Sequence, residues 1–216
     1  MIKGILWDND GVLVDTEPIF FDVNREILAT EGIELSVDDF ISLFLEESRG
    51  AWHLLRDRGY SCEQVTQLRQ LRNLRYAARL EQAAGLARAG ICDVLAHLHG
   101  RARMGVVTAS FENHFHRAHR KLELLRYFDF VVSKRAHVRP KPFPDAYLLA
   151  LKLLGVAPQE CIAVEDSPRG LAAASAAGIK CIILRSELLS AYPFSGAYRV
   201  VDSARELGEE IDLLLA

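Results

Sequence analysis

MIKGILWDNDGVLVDTE, residues 1–17, is an apolar run that breaks off in a cluster of acids. Ile2 to Trp7 is interrupted only by Lys3 and Gly4, and has the length of a buried strand. It stops at Asp8-Asn9-Asp10-Gly11. Two carboxylates at the tip of a buried strand need a reason, because unpaired buried charge is costly. In an open parallel sheet the carboxyl ends of the strands are where ligands bind. Asp8 and Asp10 share strand parity, so both project to one side if the extended geometry continues. Gly11 then permits a sharp departure from the sheet.

Such a pair suits several chemistries. One carboxylate can attack a phosphoryl group and carry it covalently. The other can protonate a leaving alkoxide and later deprotonate water. Both would suit a hard cation such as Mg²⁺, which takes oxygen ligands. Asp, Asn and Gly are also the ordinary residues of a tight turn, so DNDG alone leaves turn and site evenly matched.

At 216 residues, half of them apolar, the chain fits one core plus at most a small accessory unit. A net charge of −3 offers no basic excess for nucleic acid or an anionic membrane. No run approaches the roughly 20 apolar residues of a membrane span. The first residues have no charged-then-apolar leader. Cys62, Cys92, Cys161 and Cys181 form no Cys-x-x-Cys pair, which removes zinc and thioredoxin-like readings. Cys161 and Cys181, at the edges of apolar runs, are expected as buried thiols in a reducing cytoplasm.

Residues 18 to about 84 read as helix after helix. Ile19, Phe20, Val23, Ile27 and Leu28 keep helical spacing up to Gly32. Ser36 is an N-cap for a helix through Leu45, with Asp38 and Asp39 in its first turn. Ser48 to Arg58 reads as another helix, and Ser61 opens a long one. From Gly90 the character changes. Helices at Cys92–His99, Glu112–Leu125, Asp145–Leu154, Gly170–Ala177 and Leu207–Leu215 alternate with strands at Met104–Thr108, Phe130–Ser133, Cys161–Val164, Cys181–Leu184 and Arg199–Val201. Alternation of this kind predicts βα units and a parallel sheet.

Three later strings carry chemistry. Gly105 to Ser110 (GVVTAS) is a strand ending in hydroxyls, and a Thr at a strand tip followed by free backbone N–H groups can bind phosphate. Arg139 to Asp145 (RPKPFPD) brackets Lys141 with prolines, either a rigid loop with a solvated lysine or a preset cation. Cys161 to Gly170 (CIAVEDSPRG) repeats the opening logic, a buried strand ending in acids, then a turn at Ser167-Pro168 that can start a helix.

Taken together, DxDGVLVDTE, the strand-tip Thr, KPxPD and EDSxxGxxAAxAAG resemble, in order and over nearly the whole chain, the four motifs of the haloacid dehalogenase-like hydrolases. The likeness is greatest to the phosphatase and β-phosphoglucomutase branch with a helical cap. It implies an α/β fold, a Rossmann-like parallel-sheet core formed by residues 1–16 and 87–216, with an α-helical cap at 17–86. It implies Mg²⁺-dependent hydrolysis of a small phosphomonoester. Asp8 would be the nucleophile and Asp10 the acid and base. Thr108, the Ala109 amide and Lys141 would bind phosphate, and Asp8, Asp10, Glu165 and Asp166 the metal. The partner implied is a small-molecule phosphate ester, with no nucleic acid or membrane, on a monomer or dimer. A sugar-phosphate mutase using the same site is the alternative, and a non-catalytic regulatory protein the third reading. Asp10 argues against the family's dehalogenases, which lack that carboxylate. Arg49 matches a cap arginine that grips a second phosphate in the related mutases. Asn9 departs from the apolar or sulfur residue commoner there, and Ala89-Gly90 replaces the usual Pro-Gly.

Two sets are expected to be solvated. His114, His116 and His119 have spacings that do not put all three on one helix face. Arg69, Arg72, Arg75 and Arg79 follow a helical face that reads as exposed.

Overall fold

The computed structural model describes residues 1–134 and 139–216. Six strands form one parallel sheet, β1 (Gly4–Trp7), β2 (Arg103–Val107), β3 (Phe130–Val132), β4 (Cys161–Glu165), β5 (Lys180–Leu184) and β6 (Arg199–Val201), in the order β3-β2-β1-β4-β5-β6. The chain builds outward from β1 to one edge, then returns to lay β4 on its other side. The reversal leaves a crevice beyond the carboxyl ends of β1 and β4, the place for a ligand in an open α/β sheet.

Strand parity sorts the core into two layers. Leu6, Val107, Ala163 and Ile183 face α7 (Asp145–Leu154) and α8 (Pro168–Ala176). Ile5, Trp7, Val106, Ile162 and Ile182 face α5 (Ile91–Leu98), α6 (Glu112–His119) and α9 (Ala204–Leu215). Every residue of β1 and β4 is buried, as two covered faces require.

Between β1 and α5 there are helices only: α1 (Glu17–Thr30), α2 (Val37–Phe40), a π turn at Ile41–Glu46, α3 (Trp52–Asp57) and α4 (Cys62–Gln82). Ser36 and Ser61 close capping boxes with Asp39 and Gln64. Phe20, Phe21, Phe40, Phe44 and Tyr76 pack this segment at ring separations of 5.0–6.2 Å.

Some elements are shorter than their sequence pattern. Ser48 and Gly50 take positive φ, so the expected helix from Ser48 begins only at Trp52. The Ser48 hydroxyl instead donates to the Lys141 carbonyl at 3.0 Å. The helix expected through Leu125 ends at His119 and gives way to a 3₁₀ turn at Leu124–Tyr127.

Candidate active site

At the tip of β1, parity decides which side chain meets which layer. Asp8 continues the Leu6 side and meets Lys141, which lies just ahead of α7. The Lys141 ammonium donates to Asp8 Oδ1 at 2.7 Å, to Glu165 Oε1 at 2.6 Å and to the Val107 carbonyl at 2.9 Å. Its three N–H groups are all engaged, and one Asp8 oxygen is anchored. Asn9 points to the opposite layer, where the His119 ring nitrogen donates to its side-chain oxygen at 2.6 Å.

Gly11 turns the chain away at φ +81°, and a Cβ there would lie 1.8 Å from Asp166 Oδ2. Glycine is required here both by backbone and by space. The turn carries Asp10 to hydroxyl donors. Thr16 donates to Oδ1 at 2.6 Å, while Ser110 and Thr108 donate to Oδ2 at 2.6 and 3.3 Å.

At the tip of β4, Ser167 caps α8 by accepting from the Gly170 amide. Asp166 is buried with neither carboxylate oxygen hydrogen-bonded. Oxygens of Asp8, Glu165 and Asp166 lie within 4.8 Å of one another. Burial, with Glu165 nearby, pushes the Asp8 carboxyl up to about 7 against the pull of Lys141. Burial and the charges of Glu17 and Asp8 push Asp166 well up. Crowded hard oxygen donors of this kind fit a divalent cation, whose charge would offset that crowding. Asp10 was expected in this set, but its side chain is held by the three hydroxyls and lies outside the group.

Above the acids is a cavity of about 210 Å³ between the sheet edge and the helical segment. Asp8, Asp10, Ala109, Lys141 and Asp166 line its floor, and Arg49, Arg69, Arg72, Lys134 and Trp52 line the rest. Arg49 is mostly exposed and paired with Glu47 at 3.0 Å. Arg72 is buried, not solvated: its guanidinium lies 4.7 Å over Phe20 and 5.4 Å over Trp52, bonded to Asn24 and Asn73. Burial and the Arg69 charge pull it down to about 10. Lys134 sits over Phe111 at 4.4 Å, and burial and the nearby arginines lower it too. His114 and His119 are also buried, because α6 packs between the sheet and α4; only His116 is exposed. Thr16, Ser110 and Arg72 are therefore site residues that motif spacing did not single out. Ser110 stood in the hydroxyl-ended string, and Thr16 directly before Glu17.

The haloacid dehalogenase-like hydrolase family model matches residues 2–178. YhcW of Bacillus subtilis, a protein carrying a phosphatase name, is 33% identical over the whole chain and 97% of its own length. Among solved structures, CbbY of Rhodobacter sphaeroides in complex with xylulose-(1,5)bisphosphate superposes with a TM-score of 0.79 at 27% identity, covering 96% of this chain and 97% of its own. The β-phosphoglucomutase of Clostridium difficile gives 0.82 at 25% identity, over the whole chain and 97% of its own.

Proposed function

We propose, from the premise that this chain belongs to the haloacid dehalogenase-like hydrolase family and is a phosphoric monoester hydrolase, that it cleaves a small phosphate ester whose far end is also anionic. The observation carrying the chemistry is Asp8, one oxygen anchored by Lys141, beside an Asp10 held by hydroxyls in the same cavity.

Anchoring Oδ1 leaves Oδ2 of Asp8 to attack phosphorus, forming an aspartyl-phosphate as the ester P–O bond breaks. Asp10, aimed by Thr16 and Ser110, gives its proton to the leaving alcohol oxygen. It then takes a proton from the water that attacks the aspartyl-phosphate, releasing phosphate and restoring Asp8. Lys141 offsets the charge that gathers around the nucleophile, and Thr108 with the Ala109 amide orients the phosphoryl oxygens. Asp8 and Asp166 would hold Mg²⁺, which when bound would neutralise phosphoryl oxygens. The helical segment acts as the cap that keeps bulk water off the first step.

The far end of the substrate is read by Arg72, Arg69 and Lys134. Among the described residues none of the three has a carboxylate within ion-pair distance, so a substrate anion is their missing partner. Arg49, tied to Glu47, is secondary in this reading. The CbbY bisphosphate complex supports it. The same cations favour one second reading, a mutase in which a bisphosphate intermediate takes the place of water; the β-phosphoglucomutase likeness supports that.

The test is phosphate release from a phosphomonoester panel with and without Mg²⁺, for the native chain and Asp8→Asn, with a coupled glucose 6-phosphate readout on β-glucose 1-phosphate. Mg²⁺-dependent release abolished by the variant is expected. Full release by Asp8→Asn overturns the nucleophile, and isomerisation without release makes the chain a mutase.

A further inference from the structure

Tyr147 lies in the first turns of α7, six residues after Lys141 and fully buried. Its hydroxyl donates to Glu165 Oε1 at 2.5 Å, the same oxygen that accepts from Lys141 at 2.6 Å. The Lys141 ammonium is also 5.3 Å from the centre of the Tyr147 ring. The other oxygen of Glu165 accepts from Ser167 at 3.4 Å and presses on Gly170, where a Cβ would lie 1.9 Å away. Both oxygens of Glu165 are thus engaged, while both of Asp166 have no partner. Two adjacent acids at one strand tip therefore have different fates.

We propose that Tyr147 is a positioning residue which, through Glu165, fixes Lys141 against Asp8, and that Glu165 serves as the counter-charge of Lys141 rather than as a metal donor. The inference rests on the reading of Lys141 as the cation beside the nucleophile. Lys141 sits between two carboxylates, Asp8 and Glu165. Left to rotate, Glu165 would draw the ammonium off Asp8 or turn its second oxygen into the acidic cluster. The phenol O–H holds that carboxylate in one orientation, and the aromatic ring closes the remaining side of the ammonium. Lys141 is then presented to Asp8 Oδ1 in one geometry, which leaves Oδ2 open toward the cavity. No motif required a hydroxyl at position 147.

The test uses the full chain and two readouts. Tyr147→Phe removes one donor to an ionised acceptor, and kcat for phosphate release is expected to fall about tenfold with KM within about twofold. Mn²⁺ binding, followed by water-proton relaxation, needs no turnover, so failure of the hydrolase reading and failure of this inference are separable. Glu165→Gln is expected to leave Mn²⁺ affinity within about threefold, whereas Asp166→Asn weakens it about thirtyfold or more. Full kcat in Tyr147→Phe reduces the tyrosine to packing and overturns the proposal. Equal loss of Mn²⁺ affinity in Glu165→Gln and Asp166→Asn overturns it as well, whether or not Tyr147→Phe folds.

Discussion

The sheet edge and the helical segment face each other across one cavity and are built on opposite terms. At the sheet edge most of the functional groups are cross-braced, Asp166 excepted: Asp10 by three hydroxyls, Asp8 and Glu165 by one ammonium, the Asn9 oxygen by a histidine. The helical segment holds its cavity arginines Arg69 and Arg72 by stacking on rings and, for Arg72, by neutral amides, with no carboxylate within ion-pair distance among the described residues. Reaction geometry tolerates little displacement, so the edge is over-determined. Recognition needs charge and an apolar wall, which aromatic packing supplies with fewer fixed directions. Substitutions on the two sides should fail in different ways.

The largest effect is expected at the edge. Asp10→Asn keeps one of the two accepting oxygens and the side-chain shape but removes the transferable proton, and kcat should fall about 10³–10⁴-fold, or about 4–5 kcal/mol, with a much smaller effect on the melting temperature. A comparable loss of stability would show that Asp10 is structural. In the helical segment, Phe40→Ala empties the centre of the ring cluster and should lower stability by about 3–5 kcal/mol in chemical denaturation. A loss below about 1 kcal/mol would mean that the cluster is loosely packed.

His119 tests whether the support beneath the edge is rigid. Burial holds its ring down to about 4, from an ordinary 6.5. Below pH 6.5 the unfolded chain therefore binds a proton that the folded chain refuses. The His119 contribution is complete above pH 6.5 and is lost as pH falls toward 4, by up to about 3 kcal/mol. Urea melts at pH 7 and pH 4.5 should show a steeper decline for the native chain than for His119→Gln; parallel declines would mean the ring takes up its proton without disturbing Asn9. The smallest effect belongs to recognition. Arg72→Gln should cut kcat/KM for a bisphosphate about thirtyfold, or about 2 kcal/mol, and leave a monophosphate of the same skeleton nearly unaffected. Equal losses on both would make Arg72 a structural residue of the segment.

What the sequence made legible follows the same division. Strand positions and the acids at the tips could be read because each depends on a local string: apolar run, acid, glycine. Helix starts at Ser36 and Ser61 were equally local. Arg72 was unreadable because its burial comes from Trp52 and Phe20 on other helices, which no spacing along α4 reveals. The histidines of α6 misled for the same reason: both flanks of that helix are covered by distant parts of the chain. The helix expected from Ser48 failed because a tertiary bond to the Lys141 carbonyl goes with a left-handed backbone there.

The helical segment leaves and rejoins the sheet domain at neighbouring points. Val14 pairs with Ala87 in an antiparallel bridge, the Asp15 amide donates to the Leu86 carbonyl, the Arg88 amide to the Leu13 carbonyl, and the Arg88 guanidinium to Gly11. Bridge partners lie about 5 Å apart, so anything spliced between them need only have adjacent ends. In the proposed function, the edge that breaks the bond and the piece that selects the molecule are joined as a socket and a bit. A helical segment from a relative with different wall residues, grafted at this clasp, is the natural unit for exchanging selectivity while the reacting groups stay where they are.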